Sequence, residues 1–167
     1  MAENSNGAAN GLAEQQGGAQ LNLQRVYIKN ASFEAPNAPA MFSEQGQPNI
    51  ELNLGQRVSQ IGDGVFEVIL SATVTCKVAD KTAYLAEVEQ AGIFGLNGFD
   101  DANREMVLAS YCPNVLFPYA RQMISDLVQN GGFPPFLLQP INFDALYAEQ
   151  VRRRSDAATL PNQGLNA

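Results

Sequence analysis

The sequence predicts an α+β protein, a sheet covered by helices on one of its faces. Two patterns lead there. Apolar and polar residues alternate at strand period up to Phe94, and helical spacing with capping residues follows from Asp100 onward. Short turns between the central strands make that sheet antiparallel.

The elements follow in chain order. Met1–Ala19 is Asn, Gly, Gln and Ala with almost no large apolar side chain. Burial there cannot offset the entropy of ordering, so residues 1–19 are expected to form a disordered tail. Leu21–Lys29 is the first strand, with Val26 and Ile28 alternating against Arg25, Tyr27 and Lys29. Its phase slips between Leu23 and Val26, which marks a bulge. Pro36 and Pro39 end the pairing and impose an extended connector. Asn49–Leu54 alternates again, Ile50, Leu52 and Leu54 against Asn49, Glu51 and Asn53. Gly62-Asp63-Gly64 is a turn. Val65–Val78 reads as the longest strand. Phe66, Val68, Leu70, Ala72, Val74, Cys76 and Val78 share one face, and Glu67, Ser71, Thr73, Thr75 and Lys77 the other. Ala79-Asp80-Lys81 turns the chain, and Thr82–Phe94 runs back. There Tyr84, Ala86, Val88 and Phe94 take one phase, Leu85, Glu87 and Glu89 the other. With the first phase inward, Leu85 lies among carboxylates on the solvent side. That is either a plain solvated acidic face or a docking place for a small basic module.

Asp100 and Asp101 suit a helix start. The helix runs through Val107, Leu108 and Tyr111 and meets Pro113. Pro113 and Pro118 each withhold a donor, so a kink or break is expected near Cys112–Asn114. Val115, Tyr119 and Met123 form one stripe beyond it, with Leu116, Ala120, Ile124 and Leu127 beside them. Asn130-Gly131-Gly132 stops the helix. Then comes an oily connector, in which Phe133, Phe136, Leu137, Leu138 and Ile141 sit among Pro134, Pro135 and Pro140. Prolines hold this backbone extended and withhold N–H donors. The connector either caps a core or walls an apolar groove. Asn142 caps a last helix with the stripe Phe143, Leu146, Tyr147 and Val151. Arg152–Arg154 complement its dipole; three arginines in an acidic chain argue weakly for an RNA patch. Residues 153–167 are expected to be a flexible tail.

Composition narrows the function. Net charge is −7 and the isoelectric point about 4.5, which disfavours binding to a phosphate backbone and favours a basic partner. No histidine occurs, which removes the commonest general base and zinc ligand. Cys76 and Cys112 have no metal spacing and read as reduced thiols. No phosphate-binding, dinucleotide or metalloprotease motif occurs, and no cofactor is expected. Asp100-Asp101 and Glu87/Glu89 are carboxylate pairs without an identifiable pocket. Neither a signal peptide nor an apolar run of membrane-spanning length is read, so a cytoplasmic location is expected.

Several segments together resemble the SecB family of bacterial protein-export chaperones. They are S-F-E-A-P-N-A-P at Ser32–Pro39, E-V at Glu87-Val88 and G-I-F at Gly92–Phe94. Y-C-P-N at Tyr111–Asn114, L-F-P-Y-A-R at Leu116–Arg121 and P-I-N-F-D-A-L at Pro140–Leu146 complete the set. The likeness spans about Leu21 to Gln150, which sets a SecB-like domain at residues 20–152. It implies a four-stranded antiparallel sheet with two helices on one face, assembled as a homotetramer, a dimer of dimers. The helix Ala102–Val128 would supply the contact between dimers. The implied role is an ATP-independent holdase, without chemistry, that holds unfolded preproteins and passes them to the SecA motor ATPase.

The resemblance also assigns surfaces. The connector Gly132–Gln139, the strand carrying Ile50, Leu52 and Leu54, and the helix carrying Met123 and Leu127 would wall a client groove. Phe133, Phe136 and Leu138 are its candidate lining. Glu34, Leu85 and Glu87 match the family's SecA contact, which meets a small basic zinc-binding module. Asn30 stands where the family often carries an aspartate. Two other functions compete: a SecB-like chaperone dedicated to a toxin–antitoxin partner, and a small-molecule binder or enzyme using the groove.

Overall fold

The computed structural model describes residues 18–159. Four strands form one sheet: β1 (Gln20–Glu34), β2 (Asn49–Gly62), β3 (Val65–Val78) and β4 (Lys81–Asn97). Their order is β1-β4-β3-β2, with every pair antiparallel. Ala79 and Asp80 both take positive φ, 49° and 61°, so the β3–β4 hairpin twists with its strands. β1 and β2 lie at opposite edges, and the connector between them tucks Met41 into the core. The expected slip in β1 is present as a register shift between Leu23 and Arg25, and a second falls between Ile28 and Asn30.

Three strands run further than the alternation shows, β4 by continuing past Phe94 to Asn97. β1 continues through Ser32 and Phe33 to Glu34, two residues before Pro36. β2 continues past Leu54 to Gly62, where Gly55, Gln56 and Arg57 break the apolar rhythm. β4, not β3, is the longest strand, with 17 residues.

The helices cover one face, as expected for this class. α1 (Asp101–Met106), a π-helical segment (Val107–Tyr111) and α2 (Cys112–Asn130) follow one another without a gap. Asp100 caps α1, its carboxylate accepting the Asn103 N–H at 2.8 Å. Where a kink or break is expected near Cys112–Asn114, the helix widens into the π segment directly before it. A proline ring collides with the carbonyl four residues back, and a wider turn relieves that crowding without ending the helix. The Cys112 N–H accordingly donates to the Val107 carbonyl, five residues earlier. Leu116, Phe117, Ala120, Ile124 and Val128 are buried against Phe66, Val68, Val74, Val88 and Phe94 of β3 and β4. Gly92 permits the close approach: a Cβ there would stand 2.9 Å from Leu116 Cδ2 and 2.7 Å from the Phe94 ring. α2 ends in a Schellman motif. Gly132 has φ +85°, its N–H donates to Gln129, and the Phe133 N–H donates to Val128. α3 (Phe143–Thr159) starts at Asn142, whose side chain accepts the Ala145 N–H at 3.0 Å. It docks through Phe143 on Phe117, Asp144 accepting from the Ser110 hydroxyl, and an Arg154–Glu105 ion pair at 2.5 Å. Residues 153–159 therefore continue a helix. The rest of the two expected tails, 1–17 and 160–167, lies outside the described residues.

Candidate client groove and acidic sheet face

The helix layer does not cover the whole sheet. At the β2 side the core opens into a hollow of about 260 Å³. Ile50 of β2, Cys76 of β3 and Tyr84 of β4 face it, Met41 closes one side, and Phe133 and Phe136 form the wall. The connector takes its place because α2 ends where it does. The Gly131 backbone lies against the Phe33 ring, where a Cβ would come within 2.1 Å of that ring. Phe133 then packs among aromatic rings, its centroid 5.0 Å from Tyr84 and 5.2 Å from Phe42. Glu44 sits at the rim and pairs with Lys81 at 2.9 Å. Burial raises the Tyr84 hydroxyl and the Cys76 thiol above their ordinary ranges, so both stay protonated. The lining is thus neutral except at its edge.

A second hollow lies further along β2, where Leu54 meets Leu70, Ala109, Phe143, Leu146 and Tyr147. Leu52 stands between the two hollows and is 38% exposed. Ile50, Leu52 and Leu54 pair with Cys76, Val74 and Ala72, so all three point to the helix side of the sheet. They form an apolar track about 13 Å long between the two openings. The first hollow is smaller than the roughly 300–1,000 Å³ typical of small-molecule sites and is open on one side. Such a surface suits side chains of an extended segment better than a metabolite.

Not every residue expected in the groove lies there. Leu138 is 1% exposed and belongs to the core; its neighbour Leu137, 55% exposed, faces outward. In an extended stretch adjacent side chains point opposite ways, and prolines left nothing in the pattern to set which was inward. Met123 lines a different hollow on the β1 side of α2, beside Val26, Tyr27, Ile28 and Tyr119. Leu127 is half-buried against the core and lines neither opening of the β2 track. Tyr84, Met41 and Leu146 were missed. In the sequence Tyr84 shows only the inward phase of its strand, Met41 sits in a proline-flanked connector, and Leu146 belongs to the apolar stripe of the last helix.

The other face of the sheet has no helix on it. The β1–β4 register sets Glu34 opposite Leu85, Ser32 opposite Glu87 and Asn30 opposite Glu89. All four residues expected at the acidic face therefore share one side of two neighbouring strands. Glu87 accepts long hydrogen bonds from Ser32 and Thr73, 3.5 Å each. Further along the same face Tyr27 and Lys29 both donate to Glu67, with Lys29 Nζ at 2.8 Å and 2.9 Å from its two oxygens. These hydrogen bonds hold the Glu67 carboxyl below its ordinary range, and the same contact pushes Tyr27 up to about 12.

A helix-backed antiparallel sheet with an apolar track left open along its edge strand has the geometry of a protein that binds extended chains. No helix among the described residues is long and apolar enough to cross a membrane. Comparison with known proteins gives the family. The model of SecB, "Preprotein translocase subunit SecB", matches residues 14–154. Proteins named protein-export protein SecB are similar throughout. That of Stenotrophomonas maltophilia is 51% identical over 96% of this chain and 92% of its own. That of Xylella fastidiosa is 54% identical over 92% of this chain and 88% of its own. The SecB-like chaperone Rv1957 of Mycobacterium tuberculosis, solved with a ChAD peptide from the HigA1 antitoxin, shares the fold. Its TM-score is 0.61 at 18% identity, over 72% of this chain and 90% of that one. The chain belongs to the SecB family, and its function is that of a protein-export chaperone.

Proposed function

We propose that this chaperone holds unfolded preproteins along the β2 track and delivers them to SecA through its acidic sheet face. The observation that carries the reading is the half-exposed pair Phe133 and Phe136, standing beside an opening instead of sealed in the core. Each apolar contact is non-directional and contributes about 25 cal/mol per Å² buried, so many client sequences fit and none is held by chemistry. Neither nucleotide nor catalysis is required. A homotetramer would present four tracks to one client and raise avidity through effective concentration. The exposed side chains Tyr119 and Tyr111 on the long helix suit that self-association. The site of action in this reading is the cytoplasm. Delivery rests on Glu34, Leu85, Glu87 and the neutral Asn30 meeting a basic module.

Crosslinking of an unfolded preprotein to the purified chaperone tests the track. Contacts are expected at Ile50, Leu52, Phe136 and Leu146, and labels confined to other surfaces remove it. Glu87→Lys tests delivery: SecA binding should be lost while client capture persists.

A further inference from the structure

Among the carboxylates of the acidic face that the docking residues leave out, Glu89 stands nearest to them. Glu89 lies two residues along β4 from Glu87, on the same face, and its cross-strand neighbour is Asn30. The three rungs Glu34–Leu85, Ser32–Glu87 and Asn30–Glu89 thus hold one carboxylate each, first on β1 and then twice on β4. Successive rungs on one face stand about 7 Å apart. Opposed side chains within a rung stand about 5 Å apart at Cβ, so a charge on either strand of a rung occupies nearly the same place.

The carboxylates of this face are held in different ways. Glu67 is fixed by Tyr27 and by both oxygens on Lys29. Glu89 has one loose partner, Arg57 Nη2 of β2 at 3.5 Å, and the two side chains remain 29% and 55% exposed. So long and open an ion pair contributes little and exchanges readily. Arg57 is the cation that competes for Glu89 inside the chain.

We propose that Glu89 is a third carboxylate of the docking face and supplies the charge that Asn30 lacks, with Arg57 as the competitor that a basic partner displaces. This rests on the docking face proposed above. The partner it fits is a small basic protein module presenting cationic side chains in steps of about 7 Å.

The test is calorimetric titration of the full chain with SecA at low and at physiological salt, with client capture measured on every variant to show an intact fold. Glu89→Gln should weaken binding about fivefold and lower its salt dependence. Arg57→Gln should tighten binding about twofold, and should add nothing once Glu89 is Gln. Moving the charge across the rung, with Asn30→Asp and Glu89→Gln together, should return affinity to within about twofold of the parent. If Glu89→Gln binds like the parent while Glu87→Lys does not bind, Glu89 has no part in docking and the face itself stands. If Glu87→Lys binds like the parent, the docking face is wrong and this role falls with it. An equal gain from Arg57→Gln with and without Glu89 ends its role as competitor.

Discussion

Leu70 and Ile69 are neighbours on β3, isomers of equal size, and each is 1% exposed. They are buried by opposite means. Leu70 points to the helix side and joins the core that α2 covers. Ile69 points to the bare side, where no helix lies. Its row neighbours are Arg57 on β2 and Ala91 and Tyr27 on β4 and β1, with the Tyr27–Glu67–Lys29 cluster alongside. The stems of long polar side chains cover apolar surface while their heads stay wet. A sheet face can therefore be dry beneath and polar on top. That leaves the remainder of the same face, around Leu85 and Glu87, open for contact.

The largest expected effect separates those two kinds of burial. Leu70→Ala should cost about 3–5 kcal/mol in urea unfolding, because a rigid helix layer cannot close over the gap. Ile69→Ala should cost about 2 kcal/mol, since flexible stems can settle into the space. Equal losses would mean that the bare face is as rigid as the core. Next comes the uncovered margin of the helix side. Phe136→Ala should weaken capture of an unfolded client about tenfold, with a small change in stability. A large loss of stability with unchanged capture would make Phe136 a core residue. The smallest effect concerns the polar canopy. Glu67→Gln should lower stability by at most about 1 kcal/mol near neutral pH. The sign of its pH dependence is set by a folded-state pKa held below the unfolded value. The contribution is complete above the unfolded value of about 4.5 and fades as pH falls through the lower folded value. Acid titration of the parent and the variant should therefore converge at low pH.

Where a strand is buried on one side only, the residues announced it. The alternation in β3 and β4 placed Val68, Val74, Ala86 and Val88 inward and Leu85, Glu87 and Glu89 outward, as observed. The slip near Leu23 was legible because a phase error is itself a pattern. The far half of β2 was not, since an exposed edge strand has no need of an apolar rhythm. The π segment was half legible: Pro113 announced a disturbance, but a helix can widen as well as stop. The groove was legible as composition and not as geometry. Phe133–Leu138 is plainly oily, yet the parity that buries Leu138 and exposes Leu137 depends on how Gly132 launches the chain. Met123 was placed on the right helix, but a stripe alone does not tell which flank of α2 meets β2.

Phe33 and Glu34 are consecutive on β1, one reaching under the connector to touch Gly131 and the other standing on the acidic side. A single peptide step thus stitches the proposed client surface to the proposed delivery surface. Shifting that edge strand by one position along β4 would trade the two side chains, pushing a carboxylate against Tyr84 and an aromatic ring into solvent. Under the proposed function both activities would fail from one displaced pairing, and the irregular rungs near Gln24 and Lys29 are the features of β1 that a slipped strand would have to rebuild.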